Sequence, residues 1–232
     1  MAKTVDKSSY KVRLIDSLID KDLRIFGAIC IEGPKWCGKT WTSSYHANSE
    51  FLIGDPSGNF SNRTLAEIEP YKVLEGNTPR LIDEWQEVSS LWDATSAFVD
   101  RNNVKGQIIL TGSSTPVHKG ILHSGTGRIK NVRMNTMSLY ESGDSTGDIS
   151  LMDLCQNKFE TKIYEQTSLE HLAYLIVRGG WPGNTSTGYD ECDELGLSYM
   201  ENVTKTDLNQ LDNDLDYNEH KAKLILKSDF SI

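Results

Sequence analysis

The stretch "IEGPKWCGKTW", residues 31–41, decides the fold that the sequence predicts. It fits the pattern G-x-x-x-x-G-K-[ST], with Gly33, Gly38, Lys39 and Thr40 at the defining positions. In such a loop the backbone N–H groups turn inward around phosphate oxygens, and the following helix adds the positive end of its dipole. The pattern therefore predicts a phosphate-binding loop between a strand and a helix. The alternative is a chance match in a chain with 18 glycines.

The residue types in this loop indicate separate tasks. Both glycines are expected to adopt backbone angles that bulkier residues avoid. Lys39 is expected to neutralise charge on the β- and γ-phosphates, and the Thr40 hydroxyl to ligate Mg²⁺. The Cys37 thiol is predicted to be exposed, so that its alkylation blocks the loop. The residues predicted to contact the nucleotide are Gly33, Pro34, Lys35, Trp36, Cys37, Gly38, Lys39, Thr40 and Trp41.

An acidic pair follows another apolar run. In "RLIDEWQ", Leu81 and Ile82 are predicted to form a buried strand that ends in Asp83 and Glu84. Asp83 is predicted to hold Mg²⁺ through water, and Glu84 to orient or deprotonate the attacking water molecule. The alternative is a strand that ends in surface carboxylates. The upstream phosphate loop favours the catalytic interpretation, because such a loop needs an acidic partner for the metal.

Two further positions are candidates for contact with the γ-phosphate. In "IILTGSS", Ser113 is the first choice for a hydroxyl that contacts the γ-phosphate or the attacking water, and Thr111 is the second. Turn chemistry explains these residues equally well. Arg128 comes just before the fifth predicted strand, and its guanidinium is predicted to act on the γ-phosphate of a neighbouring subunit in a homo-oligomer. The alternative for Arg128 is an ordinary surface arginine.

Apolar runs alternate with helical patterns along the first part of the chain. A helix is predicted before the first strand, from the helical spacing of Val12, Leu14, Ile15, Leu18 and Ile19. Strands are predicted at residues 28–32, 50–56 and 107–110, and within "PRLIDEW" and "GRIKNVRM". Another helix is predicted in "SSLWDATSAFVDRN", capped by Ser89 or Ser90. This alternation implies a parallel sheet with helices on both faces.

The composition excludes several classes of protein. A net charge of −9 disfavours an extended groove for nucleic acid, because such grooves gain affinity from clustered Lys and Arg. None of the four cysteines forms a CxxC pair, which favours free thiols in a reducing compartment. The sequence shows no signal-peptide core and no apolar run near the roughly 18 residues of a membrane span. A soluble, cytoplasmic protein without membrane contact is expected.

Several longer segments together resemble one known family. They are "IEGPKWCGKTWT", "GDPSGNFSNR", "PRLIDEWQEV", "ILTGSSTPVHKGILHSGTGRI", "MSLYESGDS" and "GGWPGN". These segments, in this order, resemble those of prokaryotic AAA-type P-loop ATPases with a C-terminal restriction-endonuclease-like domain of unknown function. The resemblance extends to about Tyr199. The resemblance implies an α/β P-loop NTPase fold with a parallel five-stranded sheet of order 5-1-4-3-2, helices on both faces, and a small helical segment after it. It also implies ATP and Mg²⁺ as cofactors.

The resemblance weakens towards the C-terminus. Family members continue past a segment similar to "HKAKLILKS", whereas this sequence ends in "KSDFSI". The polar break "ESGDSTGD" is the predicted domain boundary. It divides a P-loop ATPase domain, residues 1–145, from a helical lid and truncated start of the C-terminal domain, residues 146–232. Leu224, Ile225 and Leu226 are expected to lack their partner and to cause poor solubility or oligomerisation.

The function expected from these observations is ATP binding with Mg²⁺-dependent hydrolysis of the β–γ bond, for an unknown client. Two alternatives stay open. One is a nucleotide-gated binding module with little or no hydrolysis. The other is an inactive, truncated fragment.

Overall fold

The computed structural model describes residues 6–113, 124–158, 167–202 and 221. The chain divides into two compact units, Met1–Asp144 and Ser145–Ile232. The strands of the first unit are β1 (Ala28–Gly33), β2 (Ser49–Leu52), β3 (Arg80–Asp83), β4 (Ile108–Ser113) and β5 (Ile129–Arg133). Its helices are α1 (Asp16–Ile25), α2 (Lys39–His46), α3 (Ser57–Ile68), α4 (Pro70–Leu74), α5 (Ser90–Asn102) and α6 (Leu139–Ser142).

The five strands form one parallel sheet in the order β2-β3-β4-β1-β5. This is the predicted order 5-1-4-3-2 read from the opposite side, so the predicted fold class is confirmed. In the register, Gly33 lies opposite Ser113 and Leu52 opposite Asp83. The strands therefore end together, and the polar residues that follow them share the carboxyl edge of the sheet.

Alternate residues of β1 belong to two different hydrophobic clusters. Ala28 and Cys30 pack into a cluster that includes residues of α4 and α5, whereas Ile29 and Ile31 pack into one that includes Ile19 of α1. Successive side chains of a strand point to opposite faces, so a strand covered by helices on both faces must be apolar throughout. This explains why β1 reads as a continuous apolar run.

The first helix differs from its prediction. It begins at Asp16, and Val12 and Leu14 lie before it with 70% and 60% of their surface exposed. Its buried residues are Asp16, Ile19 and Asp22, so the buried face is partly acidic. The apolar spacing therefore located a helix but misplaced its start, because the Asp16 carboxylate at the start of the helix has polar partners that a hydrophobic pattern does not reveal.

Other boundaries shift by a few residues. The second strand ends at Leu52 instead of Pro56, since Gly54 and Pro56 belong to the turn that leads into α3. Helix α5 follows Ser89, but the Ser89 side chain makes no capping hydrogen bond. Among the described residues, no helix combines the length and apolar character needed to cross a bilayer.

The second unit contains α7 (Leu151–Cys155), α8 (Leu169–Arg178) and α9 (Cys192–Asn202). Tyr174 of α8 stacks on Tyr189, with ring centroids 4.2 Å apart, and Trp181 packs on Tyr199 at 4.5 Å. The three apolar residues expected to promote oligomerisation, Leu224, Ile225 and Leu226, lie outside the described residues. The assignment of this unit as a lid and truncated domain stays a prediction.

Candidate functional site

The loop from Gly33 to Lys39 joins β1 directly to α2, as a phosphate-binding loop requires. Gly38 has a left-handed conformation, with φ of 101°, which glycine adopts at low cost. Gly33 is needed for a different reason from the one predicted. It shows no positive φ; instead, a Cβ atom there would collide with the carbonyl oxygen of Met134 and lie 3.1 Å from the Cys37 Sγ atom.

Lys39 is almost fully buried beneath the loop, with 8% of its surface exposed. Its ammonium group donates to the carbonyl oxygens of Gly33 and Pro34, at 3.0 Å each. These two carbonyls belong to the start of the loop, so the lysine closes the loop on itself. A buried ammonium enclosed by a loop provides a localised positive charge for an anionic ligand.

Asp83, at the end of β3, lies between two threonine hydroxyls. Thr40 donates to the Oδ1 atom of Asp83 at 3.0 Å, and Thr111 of β4 donates to the same atom. Burial raises the pKa of Asp83, and the neighbouring Glu84 acts in the same direction, while the two hydroxyls and the Lys39 charge oppose the rise. The structure therefore brings together Lys39, Thr40 and Asp83, which the sequence pattern had associated.

Glu84 follows with a left-handed backbone, φ 58°, which is uncommon for a residue other than glycine. Its backbone N–H donates to the Thr111 hydroxyl at 3.2 Å, which holds the strained turn against β4. The side-chain amide of Gln86 donates to the Glu84 carboxylate. Gln86 lies two residues after the acidic pair, and no sequence pattern marks it as part of the site.

The second-choice hydroxyl, Thr111, is the one that the structure places against Asp83. It is fully buried and it contacts both acidic residues, through the Asp83 carboxylate and the Glu84 N–H. Ser113 ends β4 opposite Gly33, but its side chain lies outside the described part of the chain. Its predicted contact with a γ-phosphate therefore stays a prediction.

The remaining loop residues differ in exposure. Trp36 and Trp41 have 61% and 50% of their surface exposed on either side of the Gly38–Thr40 turn, and Pro34 and Lys35 complete the loop. Cys37 is fully buried, so the prediction of an exposed thiol is wrong. Its Sγ atom lies next to Gly33, where the Gly33 backbone packs closely against the carbonyl group of Met134. Burial also raises the pKa of the Cys37 thiol, which lowers the amount of reactive thiolate.

Arg128 lies at the amino edge of the sheet, just before β5. Its backbone carbonyl accepts from the N–H of Ala28, at the start of β1, and its side chain pairs with Asp100 at 2.7 Å. The length of β1, about 17 Å at 3.3 Å per residue, separates this edge from the phosphate loop. Arg128 is thus remote from the loop of its own chain, and its role on a neighbouring subunit stays a prediction.

An N-terminal segment, residues 10–16, packs against the loop and α2. Arg13 donates from its Nη1 atom to the carbonyl oxygen of Cys37 at 2.9 Å. The Tyr10 hydroxyl donates to Asp16 at 2.9 Å and accepts from the Thr42 hydroxyl at 3.0 Å, and Asp16 pairs with His46 at 3.0 Å. No local sequence pattern indicates this segment, because its contacts join residues that are far apart along the chain.

The residues at the carboxyl edge suit a magnesium ion that arrives with a phosphate group. Among the residues described, no group of three or more His, Cys, Asp or Glu side chains is placed to hold a metal ion. Thr40 and Asp83 supply hydroxyl and carboxylate oxygens, which are hard ligands of the kind that Mg²⁺ prefers. Because Mg²⁺ often completes its coordination with waters and phosphate oxygens, a pair of protein ligands is sufficient.

Comparison with known proteins identifies one family and two similar structures. A family model described as "AAA domain" matches residues 26–143. The Walker-type ATPase PABY2304 of Pyrococcus abyssi is similar in structure, with a TM-score of 0.53 and 12% identity over 91% of this chain and 78% of that one. DnaA from Aquifex aeolicus, solved with AMPPCP bound, has a TM-score of 0.45 and 14% identity over 94% and 80%. No curated protein matches the sequence.

Proposed function

The chain belongs to the AAA domain family, and we propose from this premise that it binds ATP with Mg²⁺ and hydrolyses the β–γ phosphate bond. The observation that carries the proposal is the meeting of Lys39, Thr40 and Asp83 at one edge of the sheet. A buried ammonium beneath a loop, a hydroxyl and a partly buried carboxylate are the groups that an ATP–magnesium complex requires.

Each of these residues has a separate task in the proposal. The loop and Lys39 bind the phosphates, and Lys39 exchanges its contacts with Gly33 and Pro34 for phosphate oxygens. Thr40 and Asp83 hold Mg²⁺, which supplies charge neutralisation to the phosphates when it is bound. Glu84 orients the attacking water molecule and accepts its proton, since the carboxylate follows Asp83 at the same edge. Thr111 positions both carboxyl residues through its hydroxyl.

A second candidate is a module that binds ATP but hydrolyses it slowly or not at all. The contact between the Gln86 amide and the Glu84 carboxylate favours it, because an amide that occupies the carboxylate competes with the attacking water molecule for it. Both candidates share the binding site, and only turnover distinguishes them. A client, a homo-oligomer formed through Arg128 and a cytoplasmic location stay predictions from the sequence.

Intrinsic fluorescence tests the binding proposal directly. Trp36 and Trp41 flank the loop and are half exposed or more, so ATP with Mg²⁺ is expected to change their emission. Lys39→Ala should abolish this change, because it weakens ATP binding by about a hundredfold through loss of a charge-assisted contact. Lys72→Ala is the matched control, since Lys72 is exposed and pairs only loosely with Glu69, at 3.8 Å.

Unchanged emission in the wild-type protein at millimolar ATP, together with no heat of binding in calorimetry, would overturn the proposed site. A fluorescence change that Lys39→Ala leaves intact would show that ATP binds elsewhere.

A further inference from the structure

Arg13 is a buried arginine outside the residues that the phosphate-loop pattern identifies. Its side chain has 5% of its surface exposed, and its three nitrogen atoms donate to three different acceptors. Nη1 donates to the carbonyl oxygen of Cys37 at 2.9 Å, Nη2 to the carbonyl oxygen of Asn135 at 2.9 Å, and Nε to Glu141 at 2.8 Å. The planar fork of a guanidinium makes such a three-way contact, whereas an ammonium group on a flexible stem holds a less defined geometry.

The contact with Cys37 defines the orientation of a peptide group inside the loop. The carbonyl of Cys37 and the N–H of Gly38 belong to one planar, trans peptide, so they point in opposite directions. A donor that holds the carbonyl from one side therefore turns the N–H to the other side. We propose that Arg13 is a positioning residue, which holds the carbonyl of Cys37 and thereby aims the Gly38 N–H at the phosphates of the bound nucleotide.

Arg13 can set the loop because it is itself fixed in place. Glu141 accepts from Arg13 and from the backbone N–H of Leu14, at 2.8 Å each, and its other oxygen accepts from the N–H of Ser138 at 2.7 Å. The backbone N–H of Arg13 donates to Asp16 at 2.7 Å. Both ends of the arginine are thus anchored to residues that do not belong to the loop.

The action of Arg13 is geometric more than electrostatic. Glu141, with 7% of its side chain exposed, neutralises the guanidinium charge at 2.8 Å. Burial alone would raise the pKa of Glu141, but the hydrogen bonds from Ser138, Leu14 and Arg13 outweigh burial and lower it, so the carboxylate stays charged. A neutral pair contributes little net attraction for phosphate. Arg13→Lys keeps the charge and removes the fork, and is therefore the decisive variant.

The orientation of the Gly38 N–H towards phosphate rests on the proposed function, whereas the contact by which Arg13 holds the Cys37 carbonyl does not. The experiment therefore needs two measurements. The first is the affinity for ATP and for ADP with Mg²⁺, measured by calorimetry on the full chain. The second is the alkylation rate of Cys37 without nucleotide, followed by peptide mass spectrometry to separate it from the exposed Cys155. Cys37 is fully buried in the wild type, so its reactivity reports on opening of the loop.

Arg80→Lys is the matched control. Arg80 is also a partly buried arginine that donates to a backbone carbonyl, that of Val73 at 2.7 Å, but it lies at the amino edge of the sheet. Thermal unfolding of each variant identifies the temperature range in which the protein stays folded. Both substitutions are expected to lower stability, so a purely structural role for Arg13 predicts that the two variants behave alike in the other measurements.

For Arg13→Lys we expect affinity for ATP and ADP to fall about tenfold and Cys37 to be alkylated about tenfold faster, from the loss of one charge-assisted hydrogen bond. Arg80→Lys should change neither. Cys37 alkylation at the wild-type rate in Arg13→Lys would overturn the inference, whatever the affinities. So would faster alkylation with unchanged affinities, because the peptide orientation would then not matter to phosphate. A third outcome is faster Cys37 alkylation in Arg13→Lys while the wild type binds no ATP. This result would support the role of Arg13 in holding the loop. It would overturn both the proposed function and the orientation of the Gly38 N–H towards phosphate.

Discussion

The two edges of the sheet carry similar residue types in different surroundings. At the carboxyl edge, Lys39 is buried and Asp83 is partly buried, and both contact residues from separate elements of the chain. At the amino edge, Arg128 and Asp100 form an ion pair of comparable geometry, 2.7 Å, but their side chains are 44% and 52% exposed. Both edges are polar, and both end the same strands.

The difference indicates that burial, and not the presence of charge, distinguishes the candidate binding site from a solvated edge. A buried polar group costs free energy unless a partner compensates it, and a set of such groups converging on one loop implies a ligand or a strong structural need. Exposed pairs contribute little, because water screens them. Variants at the two edges should therefore differ in kind as well as in size.

The largest effect is expected at the carboxyl edge, on turnover. Glu84→Gln should reduce ATP hydrolysis about a hundredfold or more, because the amide cannot accept a proton, while ATP affinity stays within about threefold. Steady-state phosphate release and calorimetry measure the two quantities. Glu87→Gln is the control, since Glu87 is 46% exposed and pairs with Arg63. If wild type and Glu84→Gln hydrolyse ATP equally slowly, the non-hydrolysing binding module is the correct function.

The next effect is expected on stability at the same edge. Thr111→Val should lower the free energy of unfolding by about 1–3 kcal/mol, because it removes a buried hydroxyl that contacts Asp83 and the Glu84 N–H. Thr95→Val is an informative control. Thr95 is equally buried, but its hydroxyl has no hydrogen-bond partner among the described residues, so the apolar replacement should be neutral or stabilising. Equal losses in chemical denaturation would contradict the importance of these partners.

A smaller effect is expected at the N-terminal segment, and it depends on pH. Burial alone would raise the pKa of Asp16, but hydrogen bonds from His46, Arg13 and Tyr10 outweigh burial and lower it below the ordinary 3.8. The charged form therefore stabilises the fold above pH 3.8, and this contribution is lost as the pH falls through the lowered value. The free energy of unfolding of the wild type should exceed that of Asp16→Asn by about 1–2 kcal/mol at pH 7.

The difference between wild type and Asp16→Asn should shrink once the pH falls below 3.8, as followed by denaturant unfolding across pH. Asp20→Asn provides the comparison, because Asp20 contacts the same His46 at 2.9 Å but is 57% exposed. A pH-independent difference would mean that the hydrogen bonds, and not the charge, stabilise this segment.

The smallest effect is expected at the amino edge. Arg128→Ala should lower the free energy of unfolding by less than about 1 kcal/mol and leave ATP affinity unchanged, as for an exposed ion pair. Turnover of the same variant sharpens the comparison. If hydrolysis falls and the loss depends on protein concentration, Arg128 acts on a neighbouring subunit, and the amino edge then belongs to a shared site.

Much of the sheet and of the site was predictable because the decisive signals are local. Apolar runs located the first four described strands, the alternating segment "GRIKNVRM" located the fifth, and the order of the sheet followed from the resemblance. Lys39 and Thr40 are adjacent to the glycine that makes the loop, and Asp83 ends an apolar run, so their types and spacing identified them. Their meeting across 43 residues then followed from the common edge of parallel strands.

The errors and omissions arise where a side chain depends on distant partners. Cys37 was predicted to be exposed, yet the tight approach of Gly33 to Met134 leaves its thiol buried. Thr111 was ranked after Ser113, because a sequence of hydroxyls does not show which one faces Asp83. Arg13 was not considered at all. Its partner Glu141 lies 128 residues away, and no local pattern indicates such a contact.

The sequence by itself determined the alternation of strands and helices, the phosphate loop and the acidic strand end, because periodicity, glycine and charge act over a few neighbouring residues. Tertiary structure alone decided which polar groups are buried and which donor each acceptor meets. Burial and hydrogen bonding depend on how segments far apart in the chain pack together. The glycines and the lysine of the loop at residues 33–39 are thus evident from local sequence, whereas the arginine that contacts its Cys37 carbonyl is evident only from the fold.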